Sequence, residues 1–338
     1  LQKLLIFIKK YSDDYFKGRY RSKPNLEASY EDVYFIIKQI HDDLTGEIDN
    51  PAIRLFIEKL TKEFQLGNNP DFGHFGKPFP IEEIFWYAED FINCAVWGLL
   101  PCNLKPIGYN LLLDFLNSKD IGVINIGTTN HDILLEVFFE ENELRITDGF
   151  SEPDGDFCYF DPNLFKNSKS RVNLYKLHGS INWYRLRDYD KATNISSDFY
   201  SKIIRNHMRC QNSRGEMLGP PLNSYPIFLT GTNNKLEEYN FGIIKQIHLL
   251  FDNLLQAQNR IIMSGYGWND RGVNARLFEW VSSSMDNRII LLHENPEEIK
   301  KSKSAMWYRY DELIKDGRLI TIKKWFSDAE LNDILPFV

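Results

Sequence analysis

Residues 175–183, YKLHGSINW, are the stretch around which this chain is organised. An apolar run leads into the stretch and predicts a β-strand that ends near His178. The strand prediction rests on Val172, Leu174 and Leu177. An imidazole at a strand end lies where open α/β sheets bind ligands, and Gly179 allows a tight turn there. The structural alternative is a histidine that only forms hydrogen bonds within the turn.

A second strand with a polar end lies upstream, in residues 124–132, INIGTTNHD. Its apolar half ends in a turn of small residues that carries the amide of Asn130 and the carboxylate of Asp132. The structural interpretation is an Asx turn that caps the next helix, which is predicted over Ile133–Phe139. The turn takes on a functional meaning only together with the His178 turn.

Further strands are predicted downstream, each followed by a turn of glycine or polar residues. They cover residues 226–229, 260–264, 288–292 and 319–322. A helix from about Tyr239 to Ala257 separates the first two. Strands that alternate with helices predict an α/β fold, specifically a Rossmann-like doubly wound parallel sheet.

The segment from about residue 30 to residue 118 is rich in predicted helix. Apolar stripes at helical spacing run through it, and Asn50-Pro51 is a start signal for one helix. We therefore predict a helical insertion over about 30–118 within a single domain that spans residues 1–338. Residues 183–226 are polar and predict a loop.

The composition is that of an ordinary globular protein. Forty basic against 47 acidic residues give a net charge of -7, which does not indicate a nucleic-acid-binding protein. The four cysteines form no C-x2-C pair, so neither a zinc knuckle nor a disulfide framework is indicated. The sequence contains no signal peptide and no apolar run long enough to cross a bilayer, which predicts a cytoplasmic protein without a membrane partner.

Taken in order, the Asn130 turn and the His178 turn resemble the sirtuin family. That family has a Thr-x-Asn-x-Asp turn followed by a Leu-His-Gly turn. A third turn, SGYGWND over residues 264–270, lies where the family carries a Gly-Tyr-Ser-x-x-Asp turn against its dinucleotide. Gly267 replaces the usual serine of that turn.

The resemblance implies that the chain binds NAD and that Asn130, His178 and Asp132 are catalytic. Asn130 would orient a ribose hydroxyl or a water at the glycosidic carbon, and Asp132 would support it or stabilise developing positive charge. His178 would be the general base, because imidazole titrates near neutral pH. The dinucleotide contacts implied by the resemblance are Thr128, Thr129, Gly265, Tyr266, Asp270 and His293.

Two features of the family are missing from this sequence. Its Gly-Ala-Gly phosphate loop is absent, and since the chain begins at Leu1 rather than Met we expect that loop to precede Leu1. The zinc module with paired C-x2-C motifs is also absent, so no metal is expected. The chain is thus similar to the zinc-free sirtuin-like branch of bacterial anti-phage systems, which hydrolyses NAD to nicotinamide and ADP-ribose.

The same resemblance implies a homo-oligomer that is switched on by a separate sensor, such as a HerA-type ATPase. Two alternatives stay open. The chain could be a protein deacylase or an ADP-ribosyltransferase, which the missing zinc module disfavours. It could also be a non-catalytic subunit that binds NAD or ADP-ribose, which the intact Asn130 and His178 disfavour.

Overall fold

The computed structural model describes residues 1–19, 27–100, 105–190, 195–203, 210–217, 221–223, 225–232, 234–301 and 306–338. The chain divides into two units. The first comprises Leu1–Leu99 and Thr230–Lys235, and the second comprises Leu100–Leu229 and Leu236–Val338. Helices of the predicted insertion fall in both units, and the single domain with an insertion stays a prediction.

Helices dominate the first unit. Its elements up to Leu99 are α1 (Gln2–Arg19), α2 (Tyr30–Thr45), α3 (Pro51–Phe64), the hairpin of β1 (Gly73–His74) and β2 (Lys77–Pro78), and α4 (Ile81–Leu99). The predicted start of α3 is confirmed, because the Asn50 side chain accepts a hydrogen bond from the Ala52 amide at 3.2 Å and Pro51 follows the cap. The apolar stripes meet in one core that includes Leu4, Ile8, Ile37, Ile40, Leu60 and Phe85.

Strands and helices alternate through most of the remaining chain. The elements are α5 (Asn110–Asn117), β3 (Ile124–Thr128), α6 (Leu134–Glu141), β4 (Phe157–Tyr159), α7 (Asn163–Lys166), β5 (Val172–Lys176), β6 (Trp183–Asp190), β7 (Ile195–Ile203), α8 (Lys235–Glu238), α9 (Gly242–Ala257), β8 (Arg260–Ser264), α10 (Arg271–Ser283), β9 (Arg288–Leu292), α11 (Met306–Lys315), β10 (Leu319–Ile322) and α12 (Leu331–Ile334).

The strands that carry the predicted site residues are parallel. β3 pairs with β5, with Thr128 opposite Lys176, and β9 lies between β8 and β10, with Ser264 opposite Leu292. The predicted α/β class with parallel strands is confirmed. Within the described ranges, hydrogen bonds join these strands into separate two-stranded and three-stranded sheets, so the single doubly wound sheet stays a prediction.

Two local predictions are wrong. Residues 183–226 were predicted as loop, but β6 and β7 form an antiparallel ladder within them, to which β4 is added. The strand pattern is present, since buried Tyr184 and Leu186 alternate with exposed arginines, yet the charged half of the pattern masks it. Residues 226–229 form no strand and make one bridge, between Phe228 and Gly179.

The main core of the second unit supports the strand ends. It joins apolar residues of β5, α9, β8, α10 and β9, including Tyr175, Ile247, Phe251, Met263, Leu277 and Ile289. Burial of each large side chain contributes roughly 1.5–3 kcal/mol to stability. The packed strands are therefore a rigid support for the turns that follow them. Among the described residues, no helix combines the length and apolar character needed to cross a membrane.

Candidate active site

The Asn130 turn and the His178 turn lie against each other. The Leu177 amide donates a hydrogen bond to the Thr128 carbonyl at 2.8 Å, and the Ile181 amide donates to the His131 carbonyl at 3.0 Å. The imidazole rings of His131 and His178 are 6.0 Å apart, measured between centroids. Two turns separated by more than forty residues of chain are thus in contact, as expected for the carboxyl ends of neighbouring parallel strands.

Residues 226–229 cover the far side of the His178 turn. The Ser180 amide donates to the Ile227 carbonyl at 2.9 Å, and the Leu229 amide donates to the His178 carbonyl at 2.9 Å. Gly179 has a φ of +78°, and a Cβ at this position would lie 2.2 Å from the Ile227 carbonyl oxygen. A glycine is therefore required here both for its conformation and for the close approach.

His178 forms a buried cluster with Asp270 and Tyr239. Its Nε2 lies 2.8 Å from Asp270 Oδ2 and 2.9 Å from the Tyr239 hydroxyl. The Tyr239 hydroxyl also donates a short hydrogen bond to Asp270 Oδ2. All three side chains are buried, with His178 only 4% exposed.

The hydrogen bonds of this cluster determine which ring nitrogen of His178 carries a hydrogen. The only hydrogen of the Tyr239 hydroxyl points at Asp270, so towards His178 the hydroxyl is an acceptor. The ionised Asp270 carboxylate is also an acceptor. Nε2 of His178 therefore carries a hydrogen, and in the neutral imidazole the lone pair lies on Nδ1.

The electrostatics keep Asp270 ionised. Burial alone would raise the pKa of Asp270, but the hydrogen bond and charge of His178, with further hydrogen bonds from Tyr239 and the Val273 amide, hold the pKa well below its usual range. Burial and the neighbouring Asp270 raise the pKa of Tyr239, so the phenol stays protonated. A fixed anion beside an imidazole stabilises its protonated form.

Two local features place Asp270 and Tyr239. Asp270 caps α10, because its Oδ1 accepts a hydrogen bond from the Val273 amide at 2.8 Å. A Cβ at Gly272 would lie 2.2 Å from Cε2 of Tyr239. The absence of a side chain at Gly272 thus lets the Tyr239 ring pack on the first turn of α10, which brings its hydroxyl to Asp270.

His248 of α9 supports the cluster from below. Its Nε2 donates to the Leu177 carbonyl at 2.9 Å, and its ring lies 4.0 Å from the Tyr239 ring, measured between centroids. Burial, with the nearby charge of Arg276, lowers the pKa of His248 to about 4, so this histidine is neutral at pH 7. His248 is thus a structural histidine next to the candidate catalytic one.

The Asn130 turn is organised differently. The Asn130 side chain is exposed, and the backbone amide of Asn130 donates to Thr128 Oγ1 at 3.1 Å. The Asp132 carboxylate accepts a hydrogen bond from the Leu134 amide at 3.0 Å, which is the Asx turn of the structural interpretation. Thr129 is half-buried in the same turn.

The remaining predicted dinucleotide residues follow β8 and β9, whose ends are neighbours. Gly265 is exposed at a φ of +68°, and a Cβ there would meet open space. The Tyr266 hydroxyl donates to Asn274 Oδ1 at 2.8 Å. His293 accepts a hydrogen bond from the Asn295 amide at 3.0 Å through Nδ1, and its ring packs on Trp325.

Sequence reasoning missed two residues of this region, Tyr239 and Lys176. Lys176 is 1% exposed at the end of β5 and donates hydrogen bonds to the Asp132 carbonyl and to Glu136. A lysine inside an apolar strand is a signal of a buried ion pair that the sequence does contain. Nothing in the spacing of Tyr239 connects it to Asp270, which is 31 residues further along the chain. Across the described residues, no group of histidine, cysteine and acidic side chains is arranged to hold a metal ion.

Comparison with known families found a match that covers much of the chain. The model of the SIR2-like domain family matches residues 125–314, which is more than half of the chain. The match begins in β3 and includes both turns, Tyr239 and Asp270. A search of curated proteins found no match.

Proposed function

The chain belongs to the SIR2-like domain family, and we propose that it is an NAD+ glycohydrolase. SIR2-like domains use NAD, so the chain is placed among NAD-using enzymes. The proposed reaction cleaves the bond between nicotinamide and ribose with water, giving nicotinamide, ADP-ribose and a proton. NAD is then a substrate of this protein.

The observation that carries the proposal is the contact of His178 with an ionised Asp270. Asp270 accepts the Nε2 hydrogen of His178 at 2.8 Å, so Nδ1 is the nitrogen that takes up a proton. Transfer of that proton creates an imidazolium beside a carboxylate, which is a favourable pair in a buried site. Since His178 is 4% exposed, the group that it deprotonates is small, either a water or a ribose hydroxyl.

The bond changes assign a task to each turn. As the oxygen of water bonds to the ribose carbon, the bond from that carbon to the nicotinamide nitrogen breaks, and its electron pair neutralises the positive charge of the ring. The proton of the attacking water moves to His178. The task of the other turn is to orient the ribose and the water for this attack. The exposed side-chain amide of Asn130 suits that task.

In the cell, this activity would deplete NAD in the cytoplasm and halt growth after phage infection. We propose that the protein acts as a homo-oligomer, since its aromatic content of 14% suits large apolar interfaces. A separate partner such as a HerA-type ATPase would raise the basal activity of the chain after infection. Light scattering on the full chain tests the assembly, and a monomer at all micromolar concentrations would contradict it.

The decisive experiment supplies NAD to the full chain with and without an acetyl-lysine peptide. We expect nicotinamide and ADP-ribose in equal amounts, at the same rate in both reactions. The variant Asp270→Asn should lose most of this activity, because it keeps the shape of the side chain but removes the carboxylate that stabilises the imidazolium. Nicotinamide release that needs the peptide would favour a deacylase, and NAD binding without release would favour a non-catalytic subunit.

A further inference from the structure

We infer, building on the proposed function, that Lys176 is a positioning residue that fixes the backbone on the far side of Asn130. It acts through the turn and need not touch the substrate. The feature concerned is the ion pair of Lys176 and Glu136, which connects β5 to α6 beneath the Asn130 turn.

The geometry of Lys176 connects the two strand ends. Lys176 is the last residue of β5 and lies opposite Thr128, the last residue of β3. Its Nζ donates to the backbone carbonyl of Asp132 and lies 2.9 Å from Glu136 Oε1. The Lys176 side chain is 1% exposed and that of Glu136 is 15% exposed.

The turn is therefore clamped on both sides of Asn130. Before it, Thr128 Oγ1 accepts a hydrogen bond from the backbone amide of Asn130. After it, Lys176 binds the carbonyl of Asp132, while the Asp132 carboxylate accepts a hydrogen bond from the Leu134 amide. Because Lys176 binds backbone, it holds the path of the chain whatever side chain stands at position 132.

Burial of an ammonium group in a strand costs free energy, because the charge loses its hydration. The group is tolerated only where it is paired and hydrogen-bonded, and an apolar side chain of similar size is often at least as stable. An ammonium adds directional hydrogen bonds. Its bonds to a carbonyl and a carboxylate fix β5, the Asn130 turn and α6 relative to one another. An exposed side chain such as Asn130 can be held for catalysis only if its backbone is fixed in this way.

Arg318 offers a matched control. It is 9% exposed and binds the same two kinds of group, the Val281 carbonyl at 3.2 Å and the Asp316 carboxylate at 2.7 Å. It precedes β10, at the opposite end of the strands from the candidate site. Replacement of Arg318 should therefore reproduce the loss of a buried cation without disturbing the Asn130 turn.

The experiment compares the full chain with Lys176→Met/Glu136→Met, Lys176→Arg and Arg318→Met. It measures hydrogen exchange of the amides of residues 129–134, the melting temperature, and kcat and KM for nicotinamide release per folded molecule. The double variant removes both charges, so that the partly buried Glu136 carboxylate is not left without its partner. We expect its turn to exchange about tenfold faster and its kcat to fall about 10²-fold, with a smaller change in KM.

The controls separate positioning from stability. Arg318→Met should lower the melting temperature but keep wild-type exchange in the turn, and Lys176→Arg should restore slow exchange and most of kcat. A folded double variant with wild-type exchange in the turn, or an equal loss of kcat in Arg318→Met, would overturn the inference. If the double variant does not fold, Glu136→Gln decides, because it loosens Lys176 and should speed exchange; unchanged exchange would refute the role. A wild-type chain that releases no nicotinamide would refute the proposed function alone, since exchange still reports on Lys176.

Discussion

The two turns that meet at the candidate site have the same origin but opposite character. Both follow parallel strands that end in register, at Thr128 and Lys176. The Asn130 turn is held by hydrogen bonds from backbone amides to side chains and leaves the Asn130 side chain exposed. The His178 turn buries its histidine among charged and aromatic side chains drawn from α10 and the segment between α8 and α9.

Position and role are therefore specified separately. The end of a parallel strand determines where a side chain lies, because neighbouring strands end at one edge. The role depends on what the side chain touches, since a buried and paired imidazole has a different chemistry from an exposed amide. Substitutions in one turn, or in both together, test this separation.

The largest effect is expected from the buried turn. His178→Ala should reduce nicotinamide release by ~10²–10⁴-fold, which is the usual loss when a general base is removed. The measurement is kcat per folded molecule together with a thermal melt. His41→Ala is the matched control, because His41 also pairs with a carboxylate, at 2.6 Å from Glu89, but in the helical unit. Near-normal turnover in folded His178→Ala would remove the catalytic role.

In the exposed turn, Asn130→Ala should reduce kcat by about 10²-fold through lost orientation of the ribose. Since Asn130 is exposed, the melting temperature should stay within error of wild type. Combined with His178→Ala, the loss should be less than the product of the two single effects, because both residues serve one transition state. Independent, fully multiplicative losses would show that the two turns do not cooperate.

Acid should weaken the buried turn through His248. Its pKa is about 4 in the folded chain and ~6.5 when unfolded, so the unfolded chain binds more protons between these values. The contribution of neutral His248 to the free energy of unfolding is therefore fully present above pH 6.5. It falls as the pH drops towards 4, by roughly 3 kcal/mol if the full shift is realised. Asp270, with its lowered pKa, contributes a further loss only below about pH 4.

Chemical denaturation at several pH values measures this dependence. His248→Gln should flatten the slope between pH 6.5 and pH 4, while it lowers stability at neutral pH because the bond to the Leu177 carbonyl changes. An unchanged slope in His248→Gln would assign the pH dependence to other groups.

The smallest effect is expected from Asp132, whose carboxylate accepts a hydrogen bond from the Leu134 amide. Asp132→Ala should cost about 1 kcal/mol of stability, which is the usual net contribution of one hydrogen bond. Activity per folded molecule should fall less than about tenfold, because Lys176 still holds the carbonyl at this position. A loss as large as that of His178→Ala would instead give Asp132 a direct part in the chemistry.

Much of this comparison could be predicted from sequence, and the rest could not for a physical reason. Strand ends are local signals, so the strand over 288–292 and the turns at Asn130 and His178 were found from apolar runs and small residues. Pairings of side chains far apart in the chain leave no local signal. Lys176 and Asp132 are 44 residues apart, and His178 and Tyr239 are 61 apart. Only the tertiary fold brings these groups together.

Gly272 has a practical consequence for work in living cells. Because the Tyr239 ring occupies the space where a side chain would begin, a single added methyl group would act as a wedge beneath the cluster. We expect Gly272→Ala to remove the catalytic activity while every polar group of the site is still present in the sequence. Such an inactive copy would keep the exposed surface of the wild-type chain, and so could be expressed as bait in a search for the subunits and the activator that we propose.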